Sequence, residues 1–487
     1  MNEQVKSLAV CLLIMAAFGT SVTANDSAGI TDPAVRALEQ IETLAADENG
    51  MMEVYYDYVE DGELKGGKLL VPLPKPELAA LTAMPPYNAY PLIDNGPSEN
   101  RIDIVCVGDG YTADEMDVYL GHVQNVITSF FLEEPLDIYA DYFNVHVVEV
   151  ISNESGVDEP DYEIYRDTAL DMTFNCFGTP RLLCVDYSKA WTAAENARDV
   201  DLVLALANTT RYGGAGYSKL STLAGGNSSA IEIALHEFGH SFAGLADEYH
   251  YGDGSTYTGS ELIKPNVSIY DADEQLAQQL KWYLWLDLPE VDTFEGAFYY
   301  EYGIYRPTQN SKMKALGYPF RPVNVEQFIF SIYEEVSSID AVEPVSQEVL
   351  PAATVFSVTS QTPATYALDM QWQIDGVPVP DANETIFCPQ NYLAANTVQT
   401  LTVQAADNTL LVRDEDKKQD LLIDRKNWLV WKSIADFDDN GVVNTEDLRS
   451  TVLWWLSDNT DFDIAPPGGD GIVNFLDFSV LAAQWSQ

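Results

Sequence analysis

Two of the five histidines in this 487-residue chain fall four residues apart, in Leu235-His236-Glu237-Phe238-Gly239-His240. On a helix that spacing brings both imidazoles out on one face, where they can reach one ion. Glu237 lies beside them, placed to accept a proton from a water attacking a polarised carbonyl. Ser229 followed by Glu232 is a capping-box pattern that predicts where the helix starts, and Ile231, Leu235, Phe238 and Phe242 predict its buried stripe. A pair of surface histidines meeting by chance is the bland alternative. The capping text and an apolar strand pattern upstream, over 202–207, argue against it.

A catalytic zinc ion takes three protein ligands and leaves one position open. Metzincins place a glycine three residues beyond the second histidine and a ligand six beyond it. Here those positions hold Ala243 and Ala246. Shifted by one residue, Gly244-Leu245-Ala246-Asp247 restores the pattern with a carboxylate in place of the third histidine. A glycine at 244 can take φ > 0, end the helix and swing the chain back toward the metal. Asp247 is therefore the predicted third ligand, with Glu248 its rival; the carboxylate that loses would hold a histidine ring from behind. Downstream, Asn310-Ser311-Lys312-Met313-Lys314-Ala315-Leu316-Gly317-Tyr318 resembles the methionine turn beneath a metzincin zinc site. Tyr318 is a candidate donor to a tetrahedral intermediate by position alone.

The segments Val105-Cys106-Val107-Gly108-Asp109-Gly110-Tyr111-Thr112, Asn144-Val145-His146-Val147-Val148 and Tyr212-Gly213-Gly214-Ala215-Gly216 resemble the IgA peptidase family of secreted zinc metallopeptidases. So do Ser152-Asn153-Glu154-Ser155-Gly156-Val157 and the block from His236 to Tyr249. The likeness extends over residues 93–335. It implies a metzincin-like catalytic fold and endopeptidase activity, with no indication that immunoglobulin is the substrate.

A second metal text stands near the C-terminus. Asp436, Asp438, Asn440, the Val442 carbonyl, Asn444 and Asp447 fall at the ligand positions of a 12-residue Ca²⁺ loop, with Gly441 at its turn. Aspartate rather than glutamate at the last position resembles dockerin type I repeats. A second loop supplies Asp470, the Ile472 carbonyl, Asn474 and Asp477, but Pro466 and Gly468 occupy its early positions. An insertion there would let Asp461 or Asp463 serve as the first ligand. The resemblance implies a cohesin-like or surface partner for this module.

These sites need elements to position them. Strand and helix patterns alternate over 93–335, with strands expected at 102–107, 143–150 and 202–207 and helices at 113–131 and 229–245, which predicts an α/β core. Residues 25–92 read as a small N-terminal β domain. Residues 336–431 lose helical periodicity and read as an immunoglobulin-like β domain. Residues 432–487 form the helical, calcium-binding, dockerin-like module. The predicted architecture is multidomain: an α/β (α+β) metzincin-like catalytic domain between small β domains, with that module at the end. Lys6, the apolar run 8–18 and Val22-Thr23-Ala24 predict an export signal over 1–24, hence a secreted or cell-surface protein. No later segment offers the about 20 apolar residues of a membrane span.

Composition narrows the function. Asp and Glu number 76 against 25 Lys and Arg, for a net charge of −51. Such a surface repels phosphate backbones, so nucleic acid is excluded as a partner. After the signal, Cys106, Cys176, Cys184 and Cys388 remain, too few for a disulfide scaffold. Cys176 and Cys184 are close enough to bridge a local loop, and Cys106 reads as strand packing. The expectation is a secreted zinc-dependent endopeptidase acting on proteins or peptides through a metal-activated water, with Glu237 as general base. The alternatives are a calcium-dependent surface- or matrix-binding protein with an inactive peptidase fold, and a zinc amidase acting on cell-wall peptides or glycans.

Overall fold

The computed structural model describes residues 32–43, 50–60, 63–76, 78–227 and 229–485; the predicted export signal lies outside them. The fold is mixed α/β with several sheets. Its centre is built from β1 (Met51–Glu60), β2 (Glu63–Pro72), β3 (Asn88–Ile93), β4 (Ile102–Asp109), β5 (Phe143–Glu149), β6 (Leu202–Ala207), β7 (Gly214–Tyr217) and β8 (Leu220–Ala224). These make one eight-stranded sheet in the order β2-β1-β7-β8-β6-β4-β5-β3. The inner strands β8, β6, β4 and β5 run parallel, and antiparallel strands flank them.

The continuous apolar runs of β4 and β6 follow from burial on both faces. Ile102, Ile104, Cys106, Leu202 and Leu204 enter one core with α2 (Met116–Phe130), α4 (Ala230–Ser241) and α5 (Pro322–Glu335). Their alternates Val105, Val107, Val203 and Ala205 enter the other, with α1 (Pro33–Thr43) and α3 (Tyr187–Ala194). A disulfide joins Cys176 to Cys184 in a loop beside the second core.

The described strands within residues 25–92, read in the sequence as a small β domain, pair with the central sheet. The β1–β2 hairpin joins the central sheet at Tyr55–Gly216, next to the segment that leads into α4. β3 closes the opposite edge on β5. A lone two-stranded hairpin cannot bury its apolar face, so Met52, Val54 and Val71 pack into the second core.

After α4 the chain makes a tight hairpin, β9 (Val291–Ala297) and β10 (Tyr300–Thr308), before α5. Residues 339–431 fold into a three-stranded and a five-stranded sheet around Phe356, Trp372, Val403 and Trp428, with α6 (Glu415–Leu421) before the last strand. The chain ends in α7 (Thr445–Leu453) and α8 (Phe475–Ala483), which share a small core of Ala435, Val443 and Leu481. Among the described residues no helix is long and apolar enough to cross a membrane.

Candidate metal centre

Helix α4 begins where the sequence placed it, but not by the expected cap. Ser229 makes no side-chain cap bond, and its amide donates to Asn227 Oδ1. Glu232 accepts instead from Lys312 Nζ and the Gly317 amide, both 2.9 Å away. The carboxylate expected to close the helix start therefore ties the helix to the segment around Met313. At the other end α4 stops at Ser241, four residues earlier than predicted at 245. Gly244 takes φ +62°, and the chain folds back so that the Leu245 amide donates to the Gly239 carbonyl at 3.0 Å.

That reversal brings Asp247 to the histidines. Its Oδ1 lies 3.1 Å from His236 Nε2 and 3.4 Å from His240 Nε2, and the two Nε2 atoms are 3.1 Å apart. All three residues are buried. Each Nδ1 faces a backbone carbonyl, Lys312 O at 2.9 Å from His236 and Leu245 O at 2.8 Å from His240. A carbonyl only accepts, so each Nδ1 carries the proton and each Nε2 turns a lone pair inward. Two lone pairs and a carboxylate at that separation repel one another unless a cation lies among them. Tetrahedral zinc with bonds near 2.0–2.1 Å sets its ligands about 3.3 Å apart. The donor set and spacing fit such an ion.

Burial pushes the Asp247 carboxyl up, and positive charge at His240 and His236 overrides it and holds the group well below the usual carboxylate range; with the imidazoles neutral, a cation among the three groups takes over that part. Asp247 Oδ2 accepts from the Tyr299 hydroxyl at 2.5 Å. Tyr299 and Phe298 form the two-residue turn between β9 and β10, both with positive φ, 74° and 48°. Non-glycine residues there cost roughly 1–2 kcal/mol each, so the hairpin carries strain at the residue that touches Asp247. The sequence candidate Tyr318 is 40% exposed; Tyr299 is the tyrosine whose hydroxyl bonds Asp247.

Glu248, the rival ligand, points elsewhere. Fully buried, it accepts from Ser311 Oγ at 2.6 Å, Asn324 Nδ2 at 2.9 Å and Asn266 Nδ2 at 3.0 Å. Burial raises its carboxyl above the ordinary value despite these bonds. Asn266 also clamps both backbone groups of Ala246, fixing the loop that presents Asp247. Met313 is buried beneath the helix: a Cβ on Gly239 would stand 2.7 Å from its sulfur. Its carbonyl accepts from the Glu248 amide at 2.8 Å.

Glu237 is buried beside β7, where a Cβ on Gly216 would lie 2.4 Å from its Oε2. Only glycine leaves that carboxylate its place. The Tyr55 ring of β1 lies flat on His240, centroids 4.4 Å apart and 15° from parallel, and the Lys264 ammonium sits 5.4 Å from the centroid of the Tyr55 ring. Burial lowers the Lys264 pKa, with Glu53 opposing it.

In the C-terminal segment, ligand oxygens of Asp436, Asp438 and Asp447 lie within 4.8 Å of one another. Asp436 accepts from the amides of Asn440 and Gly441; Asp447 accepts from those of Phe437 and Asn444. The carbonyl of Val442 meets Asn444 Nδ2 at 3.2 Å. The second loop repeats the plan with Asp463 in the first role, accepting from Asp470 and Gly471. Asp477 matches Asp447, and Asn474 caps α8 as Asn444 caps α7. Asn474 also reaches Asp470 and the Ile472 carbonyl. Pro466 to Gly469 absorb the insertion that displaces Asp463 from its usual spacing.

Sequence reasoning placed His236, Glu237, His240 and Asp247 in one site; the fold brings the polar atoms of His236, His240 and Asp247 together, with Glu237 next in the helix and its carboxylate against Gly216 of β7. It did not single out Tyr55, Tyr299 or Lys264, which carry no local motif. Residues 90–289 match the family described as IgA Peptidase M64. The match covers less than half of the chain; it takes in the histidine helix and Asp247 and begins after the β1–β2 hairpin. No curated protein matches the chain significantly.

Proposed function

We propose that this chain is an exported zinc endopeptidase, with His236, His240 and Asp247 holding the ion and Glu237 as general base. The observation that carries the reading is the convergence of two Nε2 lone pairs and one carboxylate beside a buried Glu237. The family match over 90–289 supports a metallopeptidase, and Met313 beneath the helix supports a metzincin-like arrangement. When bound, zinc supplies Lewis-acid polarisation of the scissile carbonyl and lowers the pKa of water. Glu237 takes the proton of the attacking water and passes it to the leaving amine. Lys312 O and Leu245 O hold the imidazoles by their Nδ1–H groups, and Tyr299 fixes the far oxygen of Asp247. Tyr55 covers His240 and keeps bulk water from it.

For the C-terminal segment we read a dockerin-like Ca²⁺ module that docks a cohesin-like partner. It is supported by the repeated plan of Asp436–Asp447 and Asp463–Asp477. The secreted location rests on the export signal in the sequence.

Glu237→Gln tests the peptidase reading, because an amide cannot take the proton. Metal analysis and a peptide-library assay on one preparation should give unchanged zinc content and at least a hundredfold loss of rate, about the scale of general-base catalysis. Near-normal turnover by the variant would remove Glu237 from the mechanism.

A further inference from the structure

A groove of about 1080 Å³ runs past Tyr55 and the Ala243-Gly244 turn that ends the histidine helix. Its other wall comes from α5 and from α6 of the appended β region, through Phe330 and Lys417. The candidate metal ligands do not line it; it meets the centre through Tyr55, whose ring lies on His240, and follows the seam between the two parts of the molecule.

Its four lysines and four carboxylates balance in number but do not all pair with one another. Every carboxylate in the lining is already engaged. Glu53 accepts from Lys68 Nζ at 2.6 Å and from Tyr55. Glu261 pairs with Lys281 at 3.0 Å. Glu326 accepts from Trp285 Nε1 and the Arg413 amide, both at 2.7 Å, and Asp414 caps α6. Two ammonium groups remain. Among the described residues neither Lys264 nor Lys417 has a carboxylate within 4 Å or donates a side-chain hydrogen bond; each meets only a ring, Tyr55 at 5.4 Å and Phe330 at 4.3 Å.

Lys264 is partly buried, and an ammonium held in a recess without a hydrogen-bonding partner is poorly solvated, a cost that an arriving carboxylate relieves; Lys417 stands at the exposed end of the lining, in contact with solvent. The contrast with the rest of the chain sharpens the point. At net charge −51 the surface repels acidic ligands at long range, and Glu326 and Asp414 in the lining meet N–H groups rather than cations, so the attraction of Lys264 acts at contact range and not through a positive field. The apolar faces of Trp282, Phe298 and Val323 in the same lining suit the stem of such a ligand.

We propose that this groove is the part of the substrate site that receives an acidic side chain of the peptide, with Lys264 as the specificity residue nearest the metal centre and Lys417 taking a second acidic residue farther along. The inference deepens the peptidase reading and rests on it.

The test uses the zinc-loaded full chain and quenched peptides, all C-terminally amidated, in which Glu replaces Gln at one position at a time. At one or two positions Glu should raise kcat/KM about tenfold, through KM, and the gain should shrink with added salt. Lys264→Gln should collapse the Glu-to-Gln ratio toward one, and Lys264→Glu should invert it in favour of a lysine peptide. Circular dichroism and metal content verify each variant. As a readout separate from turnover, the zinc-loaded Glu237→Gln variant should bind the Glu peptide more tightly than its Gln counterpart by anisotropy, and adding Lys264→Gln should remove the difference. Cleavage or binding with no preference for Glu, or a preference that survives both lysine variants, overturns the inference and leaves the peptidase reading standing. A preference confined to peptides with a free C-terminus overturns it too, since the groove would then read the chain end. Absence of any cleavage across the library removes both.

Discussion

Asp247 and Glu248 are adjacent, buried and both carboxylates, yet their partners differ in kind. Asp247 faces imidazole nitrogens and one tyrosine hydroxyl; Glu248 is saturated by Ser311, Asn266 and Asn324. Substitution should separate them. Asp247→Ala should lose zinc while the protein keeps its melting temperature in the metal-free state. Glu248→Ala should leave buried donors unsatisfied and cost roughly 3 kcal/mol or more of stability. Tyr299→Phe should fall between, folding normally but with about 10–100-fold weaker zinc affinity. Zinc titration alongside thermal melts checks all three, and a Glu248→Ala protein that melts normally but has lost zinc would exchange the two roles. At this scale the site was legible in sequence wherever its parts are close along the chain, as with His236, Glu237, His240 and Asp247. Tyr55 and Tyr299 come from opposite directions and meet the cluster only through strand pairing and a strained turn, which no local spacing encodes. The capping text at Ser229 misled because Glu232 found stronger partners in Lys312 and Gly317.

Among the elements, the β1–β2 hairpin has the clearest consequence for the site. It pairs with β7 at Gly216 and lays Tyr55 on His240, so a peptide must displace or skirt it. Tyr55→Ala should therefore let a chelator strip zinc severalfold faster; a rate equal to the parent's would mean that the ion is reached by another route. The hairpin was legible as strand text, but its allegiance was not. Alternation of apolar residues gives a strand its buried face and says nothing about which sheet supplies the partner. The inner strands carry a second test. Asp201, at the entry to β6, has its pKa raised to about 6 by burial, reinforced by Asp199, Asp103 and Glu335, while its bond from the Asp103 amide opposes the shift. A folded-state pKa above the unfolded value near 3.9 means that the contribution is present in full below that value and is lost as pH rises through 6. Asp201→Asn keeps an acceptor for the amide and cannot ionise. Its melting temperature should match the parent's near pH 4 and exceed it above pH 7, by the equivalent of about 2–3 kcal/mol. A pH-independent difference would place the effect in packing instead.

Across the whole molecule, the β region after α5 shares buried contacts with the central α/β part. Asp407, fully buried, accepts from the hydroxyls of Tyr139 at 2.6 Å, Tyr333 at 2.8 Å and Tyr366 at 2.9 Å, and from the Thr409 amide at 2.9 Å. Tyr139 and Tyr333 belong to the first part of the chain and Tyr366 to the second, so one carboxylate gathers donors from both. Arg101 forks onto both oxygens of Asp340 across the same junction, and Val412 and Leu422 complete the core that contains Phe238. The boundary read from sequence, near residue 335, follows the change in periodicity faithfully, but periodicity is blind to side chains that cross between parts. Because the shared core and the Asp407 cage would both be lost on separation, the two parts should unfold together. Calorimetry on the full chain should show one transition spanning them, apart from any contribution of the C-terminal helices. Asp407→Ala removes the shared acceptor of three tyrosine hydroxyls, which keep the Tyr139–Tyr366 and Tyr142–Tyr333 contacts, and should lower that transition by roughly 2–3 kcal/mol. It should also weaken zinc retention, since Phe238 on the histidine helix packs in the same core. Two separate transitions, with only the later one moved by Asp407→Ala, would show that the β region is an appendage, and the lysine groove along its seam would then have a movable wall.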